Sequence, residues 1–223
     1  MYSKILTSAL IAGAAAGLFA ALLQFVFMQP VLLHAEMFES GAMVNNGNAP
    51  AAFEMPPIEV MRNLLTVAFY MLIYSGFGLV LIALMMLAES QGATISARTG
   101  IAWGVAGFVA VHLATGFGLA PEVPGTSAAS VSIRQVWWFG TIVATATGLW
   151  LTAFGKNWIH WAIAIVALAI PHIIGAPEPE VYTGTAPTEL GGMFAARSLG
   201  VAFTAWVVLG MLAGLLWSRA EDS

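Results

Sequence analysis

ILTSALIAGAAAGLFAALLQFVFM, residues 5–28, contains no charged side chain. At 1.5 Å per residue, a helix of this length exceeds the roughly 30 Å hydrocarbon core of a bilayer. A secretory signal has an apolar core of about 7–15 residues, with its small residues behind it. Here Ala14-Ala15-Ala16 lie in the middle of the run. The stretch therefore reads as a retained transmembrane helix. Gly13 and Gly17 form a small-xxx-small pair, which lets a second helix approach closely.

The same reading extends outward. Apolar runs recur at 64–88, 99–119, 136–154, 158–174 and 198–217, with further glycine pairs at Gly100/Gly104 and Gly210/Gly214. The chain is 60% hydrophobic and 8% charged, against about 25% charged for a soluble domain. So few charges cannot cover a water-facing surface. The expected fold is all-α and polytopic: six transmembrane helices forming a single integral membrane domain over 1–223. The run at 158–174 is short and contains Pro171.

Several functions drop out. The absence of cysteine removes disulfides, thiolate metal sites, iron–sulfur clusters and thiol nucleophiles. No basic block points to nucleic acid. No P-loop, GxSxG or HExxH motif is present, so neither an ATPase nor a standard hydrolase is expected, and the chain reads as a non-enzyme. No permanently bound cofactor is implied.

Six helices place both termini on one side, with connections alternating long and short. The stretch 29–59 reads as the longest loop, holding a short surface helix after Pro30. Lys4, Arg98, Lys156 and Arg219 fall on the terminal face, against Arg62, Arg134 and Arg197 on the other, which puts the termini in the cytoplasm. The long-loop face carries Glu36, Glu39, Glu54, Glu59, Glu122, Glu178, Glu180 and Glu189. A negative field of this kind concentrates cations at a membrane mouth.

The runs also fall into three successive hairpins. Each descends on a Gly/Ala-rich helix to an acidic loop and returns on a helix announced by one arginine: Arg62, Arg134 or Arg197. The polar positions of the descending helices are Gln24, His112 and His172. Ionisable groups inside a membrane are costly and normally face a cavity or a partner. Neutral imidazole is a common metal ligand and also relays protons. His112 and His172, with Glu122, Glu178 and Glu180 near their helix ends, offer mixed nitrogen and oxygen ligands suited to a borderline divalent ion. Pro171 removes a backbone donor and frees a carbonyl one turn earlier. Arg62, Arg134, Arg197, Trp137 and Trp138 read as anchors, and His34 beside Glu36 as a weaker ligand candidate. His160, between Trp158 and Trp161, reads as part of an interfacial belt.

Three motifs in order carry a family resemblance: His112 with Pro121-Glu122-Val123-Pro124-Gly125, then Arg134-Gln135-Val136-Trp137-Trp138, then Pro171-His172-Ile173-Ile174-Gly175-Ala176-Pro177. Over nearly the whole chain the sequence resembles CbtA, the predicted cobalt transporter subunit of bacteria. The resemblance implies a multi-pass protein of the bacterial inner membrane, linked to cobalamin metabolism, with Co²⁺ as the substrate ion. It also implies a separate small single-span, histidine-bearing partner of the CbtB kind. His112, Glu122, Arg134, Trp137, Trp138 and His172 match the family pattern. Cobalt rather than nickel comes from the resemblance alone. Besides the lipid bilayer, a homo-oligomer stays open as a partner. Two other classes stay open as well: a membrane scaffold or accessory subunit with no path of its own, and a haem electron-transfer subunit ligated by His112 and His172.

Overall fold

The computed structural model describes residues 2–48, 50–51 and 53–221, with side chains between residues 6 and 219. Lys4, counted above, lies outside the described side chains. The described residues form six helices and no strand. Helix α1, residues 2–39, is α-helical over Tyr2–Leu23, π-helical over Gln24–Met28 and α-helical again over Gln29–Glu39. Helix α2 is Val60–Glu89. Helix α3, Ala97–Gly118, contains a second π segment at Val109–Leu113. Helices α4, α5 and α6 are Val131–Phe154, Trp158–Ile174 and Thr188–Glu221.

Five of these helices are long and apolar enough to cross a membrane. Helix α5 has 17 residues, about 25 Å of rise. The first and last helices outrun the boundaries read from sequence. Pro30 does not end α1, because the wider π turn just before it gives the proline ring room and shifts the hydrogen-bond register. Glu36 and Glu39 therefore lie on a helix rather than in a loop. Helix α6 starts behind Pro187, with Glu189 in its first turn facing the positive end of the helix dipole. It runs through Gly191-Gly192 and Arg197 as helix.

The chain divides into two compact units. The first comprises Met1–Gln29, Pro56–Phe108 and Gly200–Ser223; the second comprises Pro30–Met55 and Val109–Leu199. The first unit is closed by glycine. Gly13 and Gly17 of α1 lie on the backbone of α2, where added Cβ atoms would each meet a carbonyl oxygen, of Tyr74 and Tyr70, at 2.5 Å. Gly78 of α2 faces the Ala9 carbonyl of α1 in the same manner. On α3 and α6 the two remaining pairs meet each other: a Cβ on Gly100 would strike the Gly210 carbonyl, and one on Gly104 the Trp206 carbonyl. The tight backbone pairs are thus α1–α2 and α3–α6, both antiparallel. For α3 this partner is not its neighbour in the sequence hairpin. Trp206, 3% exposed, packs against Phe77 with ring centroids 4.8 Å apart. The Trp217 Nε1–H is shared by both oxygens of Glu89 at 3.2 Å.

In the second unit α4 packs on α5, where a Cβ on Gly148 would lie 2.6 Å from Leu168 Cγ and 3.1 Å from the Ala164 carbonyl. Asn157 caps α5 by accepting the His160 N–H at 3.1 Å. His160 Nδ1 in turn accepts the Lys156 N–H at 3.0 Å, so this imidazole secures the α4–α5 turn as well as sitting beside tryptophans. The loops after α3 and α5 are stitched together. Thr126 and Gly184 form an antiparallel bridge, Ser127 N–H donates to the Thr183 carbonyl, and Thr183 N–H donates to Ser127 Oγ, both at 2.9 Å. Gly125, at φ +79°, makes the turn that brings this clasp against Thr185 and Glu39.

Candidate metal passage

The three polar positions of the descending helices share a backbone trait. Gln24 opens the π segment of α1, His112 lies within the π segment of α3, and His172 follows Pro171 in α5. Each helix departs from the regular i to i−4 ladder at or next to its polar residue: at Gln24 and His112 in π segments, and at Pro171 beside His172. Such interruptions cost hydrogen-bond geometry and recur at functional sites. In the first unit, Gln24 is 8% exposed and its Oε1 is buried with no hydrogen-bond partner among the described residues.

His112 and His172 both belong to the second unit. Their helix ends converge. Phe117, one turn beyond His112, stands edge-on to the His172 ring at 5.2 Å. Gly118 is so close to Ala176 and Trp137 that a Cβ would lie 2.6–2.7 Å from each. The Trp137 indole N–H donates to the Pro171 carbonyl at 3.3 Å, which ties α4 to the kinked end of α5. His172 is partly exposed, yet its Nδ1 is buried and has no partner among the described residues. That nitrogen retains its donor or acceptor capacity for a ligand.

The carboxylates differ among themselves. Glu122 pairs with Arg134 at 3.3 Å, with side chains 40% and 30% exposed. An ion pair this open contributes little. The Arg134 Nε is nevertheless buried without a partner. Glu178 and Glu180 are exposed on the loop after α5. Glu178 accepts the Tyr182 phenol, and that hydrogen bond pushes the phenol above its ordinary pKa. Trp138 stands edge-on to Phe139 at 4.9 Å. Arg62 lies in the first turn of α2, beside Asn63, whose Oδ1 accepts from Gln29 Nε2 at 3.2 Å. Arg197 lies well inside α6. Among the described residues no three or more His, Asp or Glu side chains are grouped so as to hold a metal ion.

Two features were silent in the sequence. His34 is 5% exposed, stacked on Phe53 at 4.3 Å and tilted against Phe38 at 5.4 Å, with Nε2 unpartnered. Only its position one turn before Phe38 hints at this cage. On α4, Thr141, Thr145 and Gly148 form a buried face; threonine and glycine are common on every face of a membrane helix, so their i, i+4, i+7 spacing does not single it out.

The sequence model of a family described as "Probable cobalt transporter subunit (CbtA)" matches residues 2–218. No curated protein and no solved structure matches.

Proposed function

Because the chain belongs to the CbtA family of probable cobalt transporter subunits, we propose that it forms the path by which Co²⁺ crosses a bacterial inner membrane. Glu122, Glu178 and Glu180 collect the ion at the mouth, and His172 and His112 pass it inward. The observation that carries this reading is the unpartnered, buried Nδ1 of His172 at the broken end of α5, against the Phe117 turn of the helix bearing His112. The sparse ligand set fits passage rather than storage, since a conducted ion must bind weakly enough to leave. Water completes its coordination at each stage. Two positive charges entering at −100 mV gain roughly 4.6 kcal/mol, so the membrane potential alone can drive uptake. The termini face the cytoplasm, and a small single-span, histidine-bearing subunit of the CbtB kind delivers or receives the ion. The link to cobalamin supply follows from the family.

Cobalt accumulation by cells expressing the chain with its partner subunit tests this. Wild type accumulates cobalt, and His112→Ala and His172→Ala each lose most of that uptake. Uptake by both variants at the wild-type rate removes the histidines from the path. No uptake by wild type, or a Soret band in the purified protein, overturns the transport reading.

A further inference from the structure

Hydroxyls on membrane helices usually satisfy themselves by donating to the carbonyl one turn back. Helix α4 follows this habit three times: Thr141 to Trp137 at 2.8 Å, Thr147 to Val143 at 2.7 Å and Thr152 to Gly148 at 2.8 Å. Thr145 breaks it. It is 2% exposed, and its Oγ1 has no hydrogen-bond partner among the described residues. An unpaired buried hydroxyl is destabilising, so a residue kept in this state needs a reason.

The surroundings supply one. Helices α4 and α5 are pinned together twice, at Gly148 against Ala164 and Leu168, and at Trp137 against the Pro171 carbonyl. Thr145 lies between these pins, on the buried face it shares with Thr141 and Gly148. On α5, the stretch between the two pins includes Ala167, whose carbonyl receives no N–H from Pro171. His172, with its own unpartnered Nδ1, directly follows the Pro171 pin. Two oxygens released from their own helices thus fall on facing stretches of one helix pair, inward of an imidazole. Hard oxygen donors of this kind suit the water shell of a divalent cation. Irregular backbone is tolerated at membrane depth where it lines a watered cavity.

We propose that the α4–α5 pair holds an oxygen station for a hydrated divalent cation, built on the Thr145 hydroxyl and the Ala167 carbonyl and lying inward of His172. The inference rests on the transport reading and extends it: the histidine strips part of the ion's shell, and the oxygen station receives what remains.

The chain has no cysteine, so a single introduced thiol reports on its own site. In membranes holding the full chain and its partner subunit, Thr145→Cys is exposed to a small cationic, membrane-impermeant thiol reagent. The thiol is expected to react at least tenfold faster than that of Val143→Cys, whose parent side chain is 65% exposed on the outside of the same helix. Cobalt, but not sodium at matched ionic strength, slows the reaction severalfold. Thr145→Val lowers the maximal rate of cobalt uptake and Thr145→Ser restores it. Equal reaction rates for the two thiols overturn the station, as does a fast reaction that cobalt does not slow. If wild type takes up cobalt while the Thr145 thiol is inert, the station alone falls. If wild type takes up none and cobalt gives no protection, the transport reading falls with it.

Discussion

The two units solve opposite problems. In the first, backbone meets backbone: Gly13, Gly17 and Gly78 join α1 to α2, and Gly100, Gly104, Gly210 and Gly214 join α3 to α6. The second contains all four histidines and five of the six buried, unpartnered polar atoms of the described residues. Charge divides the same way. The first unit holds four acidic and four basic residues and the second seven acidic and three basic, so the whole net charge of −4 belongs to the second. Close helix packing in lipid draws on van der Waals contact between small residues. Passage of an ion requires polar groups that are not already spent on one another. Gln24 Oε1 apart, one region is saturated and the other is left unsatisfied, which separates what holds the fold from what can act on a ligand.

The largest expected effect breaks the saturated side. Gly104→Leu drives a side chain into the Trp206 carbonyl and costs about 3 kcal/mol or more. Folded yield and thermal midpoint in detergent both fall sharply. Gly140→Leu, at a position with nothing within 4 Å, leaves both nearly unchanged, within about 0.5 kcal/mol. If the two substitutions cost the same, close packing is not what holds the first unit. Next, His172→Ala is expected to lower cobalt uptake about tenfold or more with the thermal midpoint unmoved, since no protein hydrogen bond to Nδ1 is lost. A large drop in midpoint would recast that histidine as structural. Trp137→Phe removes the tie to the Pro171 carbonyl and costs about 1 kcal/mol, read as a shift of a few degrees in midpoint with a partial loss of uptake. Arg134→Gln has the smallest effect, about 0.2–1 kcal/mol. It is visible at low salt and absent at high salt, where the exposed pair with Glu122 is already screened.

The helix count was legible because a bilayer demands length and apolarity, and both are written directly in composition. The glycine pairs were legible as well, because close approach selects small residues at a fixed spacing. Their partners were not: nothing in Gly100-xxx-Gly104 says that Gly210-xxx-Gly214 answers it rather than a pair on the neighbouring helix. The π segments were also hidden. Pro30 looked like a helix end because the usual rule assumes an unbroken ladder behind it, and the register shift at Gln24–Met28 suspends that assumption. The polar positions Gln24, His112 and His172 stood out by their cost in lipid. Thr145 did not, since a threonine on a membrane helix is ordinary until its hydroxyl is seen to abstain from its own backbone.

Helix α5, at 17 residues, falls about 5 Å short of an average hydrocarbon slab. Trp158 at one end and Ile173 and Ile174 at the other remain 77%, 81% and 73% exposed, so lipid must come to them. A bilayer crossed by so short a helix thins locally, at a cost of a fraction of a kcal/mol for each ångström of mismatch. On the proposed path, such thinning brings water nearer to Pro171 and His172 and shortens the stretch an ion would cover in hydrocarbon surroundings before any ligand engages it. Acyl-chain length would then control throughput along the proposed path: thick, ordered membranes would bury this helix end and slow cobalt uptake without touching a single residue of it.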